Sequence, residues 1–180
     1  LNSANTNDAG FDGVCDEDQN TSCFGAIHMS AVTGTNVFNN VDITTTEEHG
    51  INGNNVTNLS LTNCTVTGAG DDVEENGVKF IDLTGACSFT GCTFSNSGSR
   101  NTHIRTGSGT LNLTVNNCSF SNTNYLVTRF DCFEMRTLSS ATATVNITSS
   151  TFYRAGSKGI QALAEGSSTF TFNLTNCSVQ

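Results

Sequence analysis

The sequence predicts an all-β solenoid of about six coils, with three short strands to a coil. Repetition is the first observation behind this. LSLTNCTVTG (59–68) recurs with variation as CSFTGCTFSN (87–96), LTVNNCSFSN (113–122), VNITSSTFYR (145–154) and FNLTNCSVQ (172–180), and a degraded copy, FNNVDITTT, occupies 38–46. Spacing is the second. The Cys of the repeat, or the residue in its place, falls at Val41, Cys64, Cys92, Cys118, Ser150 and Cys177, with separations of 23, 28, 26, 32 and 27, a period in the solenoid range. Patterning is the third: every copy alternates apolar and small polar residues with period 2 and breaks at Asn, Gly or Ser. Stacked strands meeting at bends therefore fit better than stacked helices.

Residues 1–24 read as an acidic N-terminal loop or partial coil, and 25–180 as the solenoid. The first coil runs from 25 to 46, with Ile27 and Met29 facing in and His28 facing out. The later coils open with GINGNN (50–55), GVKFIDL (77–83), NTHIRTGSGT (101–110), FDCFEMRT (130–137) and GIQALAEGSST (159–169). Each opening strand leads through a turn to a longer alternating strand, then through the Asn bend to a short third strand, closing a triangular core. Ile51, Leu59, Leu61, Val66, Phe89, Phe94, Ile104, Leu113, Val115, Phe120, Val145, Ile147, Phe152 and Leu174 are expected to line it. The connections TTTEEHG, TGAGDDVEENG, SNSGSRN, SNTNYLVTRFD and YRAGSKG all leave the third strand, so one corner collects the variable loops. Such an edge is the expected binding surface, with Asp71, Asp72, Glu74, Glu75, Tyr125 and Arg129 as its candidate ligand-binding residues.

With 7 Lys+Arg against 16 Asp+Glu, the formal charge of −9 excludes attraction to a nucleic-acid backbone or an anionic membrane surface. The 12 Phe are periodic, which excludes a disordered acidic chain. No run is long enough for a membrane span, so no membrane insertion is expected. The chain stops within a repeat unit, at CSVQ, and is expected to be a segment of a longer solenoid.

Eight Cys permit complete pairing without demanding it. Cys15 and Cys23 bracket a polar loop in which a disulfide is plausible in an oxidising compartment. Cys64, Cys92 and Cys118 share an inward face with Val66, Phe94 and Phe120. They read as stacked buried thiols, although neighbouring coils are also close enough for disulfides. Asp8, Asp12, Asp16 and Asp18, clustered around two Gly, are candidate calcium ligands without the regular calcium-loop spacing; calcium is the one cofactor considered.

Nine N-x-[ST] sequons occur, and most read as architecture, because alternating Asn, Leu and Thr writes them automatically. The outward row of the long strand is a Thr array of the kind an ice-binding face requires. Asn and Ser interrupt it, and no T-x-T column is expected to persist.

The repeated G-[IV]-x…L-x-[LV]-x-N-[CN]-x-[FV] pattern resembles the right-handed parallel β-helix of the pectate-lyase-like superfamily. The wording GINGNNVTNLSLTNCTVTGAG and GTLNLTVNNCSFSN is most similar to repetitive bacterial surface and autotransporter-like adhesins. The resemblance covers roughly 25–180 and implies the fold class all-β, right-handed parallel β-helix (solenoid) of about six coils. It also implies that an enzyme of this kind would carry its chemistry on the outward first-strand row: His28, Asn52, Lys79, His103 or Arg105, Glu134 and Gln161. Lys79, Arg105 and His28 are the candidate catalytic residues, Lys79 and Arg105 for a lyase acting on a uronate with calcium. The row lacks the paired Asp of the hydrolases. The expectation is therefore a structural or adhesive segment of a secreted, cell-surface protein that associates with itself end to end, more readily than an enzyme. A carbohydrate-binding or polysaccharide-cleaving β-helix, with extracellular polysaccharide as partner, is the alternative.

Overall fold

Residues 25–71, 75–123 and 130–180 are described by a computed structural model. They hold seventeen strands, all paired in parallel. The first coil contains β1 (Gly25–Ser30), β2 (Asn36–Asn39) and β3 (Asp42–Thr46). Next come β4 (His49–Thr57), β5 (Leu59–Thr62) and β6 (Thr65–Ala69), then β7 (Val78–Thr90) and β8 (Thr93–Ser95). The fourth coil has β9 (Thr102–Thr106), β10 (Thr110–Asn116) and β11 (Ser119–Ser121). The fifth has β12 (Phe133–Thr137), β13 (Thr142–Thr148) and β14 (Thr151–Tyr153), and the sixth β15 (Ile160–Ala164), β16 (Thr169–Thr175) and β17 (Ser178–Val179).

Strands in equivalent places stack into three sheets. The first contains β1, β4, the start of β7, β9, β12 and β15; the second β2, β5, the end of β7, β10, β13 and β16; the third β3, β6, β8, β11, β14 and β17. Strand β7 runs through two sheets without a break, which joins them at one corner. The result is a parallel β-solenoid of about five turns, close to the six coils expected. No helix among the described residues is long and apolar enough to cross a membrane.

The predicted inward residues form the core and are essentially inaccessible, except for Ile27, half-buried on the first coil, and Leu174. Leu174 pairs with Ile147 in register but is 46% exposed, because its strand is the last of its sheet. In the third sheet the inward column is aromatic: Phe94 stacks on Phe120 at 5.1 Å, and Phe120 on Phe152 at 4.8 Å, their planes 3° apart. In the first sheet Gly53 lies in register with Phe80, and a Cβ at Gly53 would sit 2.4 Å from two ring carbons. Only glycine leaves room for that ring.

The bend between second and third sheets explains the repeat. Asn40, Asn63, Gly91, Asn117, Ser149 and Asn176 all have φ between 49° and 63°, the left-handed conformation that Asn and Gly tolerate best. The next residue is the Cys of the repeat. Its thiol does more than fill space: Cys118 Sγ contacts the carbonyls of Asn116 and Phe89 at 3.4 Å and accepts the amide of Cys92 at 3.4 Å. Cys92 Sγ repeats this with Thr90 and Leu61, and the amide of Cys64 donates to it. All six Cys among the described residues are free thiols. Burial pushes the Cys64, Cys87 and Cys132 thiols up, Cys132 to about 11. Contact between the Cys92 and Cys118 thiols themselves lowers Cys92 to about 7 and raises Cys118.

Candidate functional surfaces

The outward face of the first sheet carries the row expected from the sequence. His28, Asn52, Lys79, His103, Glu134 and Gln161 are strict register partners, coil to coil. Arg105 belongs to the neighbouring column, between Ile81 and Arg136. Although outward from the core, the row is buried in the middle of the sheet: Asn52, Lys79, His103 and Glu134 are at most 2% exposed.

Turns leading into the first sheet help seal this face. They stack on one another through their own backbone: Ser99 N donates to Glu75 O at 2.8 Å, and Gly77 N to Arg100 O at 2.9 Å. Arg100, from the turn before β9, pairs with Glu134 on the next coil and lies 5.8 Å from the centre of the Phe130 ring. Arg136 Nε stands 2.7 Å from the other Glu134 oxygen, though not aligned for a hydrogen bond, and His103 Nε2 is 3.8 Å from that oxygen. One buried carboxylate is thus flanked by two guanidinium groups, which satisfies the rule that buried charges are paired.

Both buried histidines are held neutral. Burial, followed by the Arg100 and Lys79 charges, lowers His103 well below its usual value. His49 is lowered from 6.5 to about 3 by burial and then Lys79, and its Nδ1 accepts the amide of Asn76 at 2.7 Å. A neutral imidazole in a sealed ionic row is a structural group here. Lys79 lies in the same buried row.

Among the other predicted residues, His28 is exposed on the first coil and Arg105 is half-buried. Arg105 lines a surface groove of about 480 Å³ with Ile81, Asp82, Leu138 and Glu165. In the loop corner, Asp71 is exposed, and its amide donates to Glu75 Oε2 at 2.7 Å; Glu75 itself is buried. Asp72, Glu74, Tyr125, Arg129, the candidate calcium ligands Asp8, Asp12, Asp16 and Asp18, and the pair Cys15 and Cys23 lie outside the described residues. Among the described residues no group of three or more His, Cys, Asp or Glu is placed to hold a metal ion.

The second sheet presents the opposite surface. Its outward columns are Thr110, Thr142 and Thr169; Ala86, Asn112, Thr144 and Thr171; Val37, Ser60, Ser88, Thr114, Asn146 and Asn173; and Asn39, Thr62, Thr90, Asn116, Thr148 and Thr175. No column holds a charged or aromatic residue. On the last two coils Thr142 and Thr144 stack directly on Thr169 and Thr171, a T-x-T pair, and on the coil before Asn112 takes the place of the second Thr. No protein-family model, curated protein or solved structure matches this chain.

Proposed function

We propose that the chain is a structural, surface-contacting segment of a secreted or cell-surface β-solenoid, akin to pectate-lyase-like helices and repetitive adhesins, and that it makes contact through the second sheet. The observation that carries this reading is the absence of charge from that sheet's outward columns in a chain of formal charge −9. Charged side chains gather instead at the first sheet, where Lys79, Glu134 and, from the turn before β9, Arg100 are buried.

The test is to incubate the full chain with insoluble neutral surfaces, and separately with soluble polyuronates and calcium. Adsorption to a neutral surface without release of cleaved product is expected. Calcium-dependent cleavage of a polyuronate, abolished by Lys79→Ala in a folded variant, would overturn it. The groove beside Arg105 favours the alternative, a carbohydrate-binding site, since Asp82 and Glu165 stand there as hydroxyl acceptors. Soluble oligosaccharide binding that Arg105→Ala removes is the outcome that would select it.

A further inference from the structure

From the lattice on the second sheet we infer that its neutral face binds ice, which deepens the surface-contact reading and rests on it. Parallel in-register strands fix a two-dimensional repeat of ~4.8 Å between coils and about 6.7 Å between alternate residues on one strand. That repeat lies close to the spacing of oxygen atoms on a prism face of hexagonal ice. Coils four to six present four outward positions each, so the lattice extends in both directions.

Side-chain chemistry selects ice over other flat partners. Thr brings a hydroxyl and a methyl group on a β-branched carbon with restricted χ1, so its orientation is set before contact. Thr142 and Thr169 are exposed, as are Thr171 and Thr175. The interrupting Asn residues are tied into the lattice: Asn173 Nδ2 donates to Asn146 Oδ1 at 2.8 Å, and Thr148 Oγ1 donates to Asn116 Oδ1 at 2.9 Å. A charged side chain would impose its own hydration shell on water, and the face has none. Crystalline polysaccharide is gripped by stacked aromatic rings, and no ring stands on these columns.

Growth of a single ice crystal in a solution of the full chain is the test, read as partition of protein into the ice and as thermal hysteresis. The chain is expected to enter the ice and shape the crystal. Thr144→Tyr, which keeps β propensity but raises a ring above the plane, should lower the ice-bound fraction about tenfold. Thr151→Tyr, on the third sheet, should leave it unchanged. Circular dichroism establishes that each variant is folded. Exclusion of the folded wild-type chain from ice, or equal partition of the Thr144→Tyr variant, would overturn the inference. Adsorption to cellulose or chitin in place of ice, lost in Thr144→Tyr, would overturn ice as partner while keeping the contact face. Indifference of every surface tested to Thr144→Tyr would overturn both.

Discussion

The amide of Cys118 donates to Ser150 Oγ at 3.1 Å, just as the amide of Cys92 donates to Cys118 Sγ at 3.4 Å. Ser150 stands in a cysteine's place and repeats its bonding, donating in turn to Thr148 O at 2.8 Å. The corner column therefore needs a small side chain that both accepts and donates. Ser150→Cys should be tolerated within about 1 kcal/mol, whereas Ser150→Ala leaves the buried Cys118 amide without an acceptor and should cost about 1–3 kcal/mol. Urea denaturation of the two variants measures the difference, and equal midpoints would show the column to be filler.

Replacing Gly53 tests the opposite kind of fit. Its neighbour across the coil is Phe80, fully buried, and an added methyl group must displace the ring. Overpacking of this kind costs about 1–3 kcal/mol, so Gly53→Ala should lower the melting temperature, and Phe80→Leu in the same chain should recover part of the loss.

Removal of the Glu134 carboxylate should be among the more damaging changes on the first sheet. Arg100, 9% exposed in its side chain, would keep its charge and lose the Glu134 carboxylate. Breaking a buried pair from one side costs about 3–5 kcal/mol, so Glu134→Ala should unfold at markedly lower urea concentration than the wild-type chain. Arg136, 30% exposed, keeps access to water and adds little to that loss.

Acid should destabilise the solenoid through its buried histidines. In the unfolded chain His49 takes up a proton near 6.5, whereas in the folded chain it does so only near 3. The unfolded state therefore binds more protons between those values. Stability, complete above pH 6.5, is lost as pH falls towards 3, by up to ~1.4 kcal/mol per unit. Lys79 and His28 oppose the charged imidazole, and the Asn76 amide holds the neutral one. Melting temperatures from pH 7 to 4 should fall less steeply for His49→Asn, whose side-chain oxygen can still accept that amide. Identical slopes would remove His49 from the account.

The sequence revealed the coil through its bends. Asn63, Asn117 and Asn176 mark left-handed corners because few residues adopt that backbone cheaply, and the alternation beside them assigns each side chain to a face. The column from His28 to Gln161 was readable in the same way. Its burial was not, because a period-2 pattern separates inward from outward without showing what lies over the outward side; Arg100 reaches Glu134 from a turn on another coil.

The corner column has a consequence for how such a chain lengthens. At the bend the amide of one coil donates to the side chain of the next, whether that side chain is Cys or Ser, while much of the difference in repeat length passes into the connections that leave the third sheet. A coil is therefore a cassette. Duplication or loss of one in the gene would preserve the seam on both sides, so reach can evolve by copy number while the surface chemistry of each face is carried along intact.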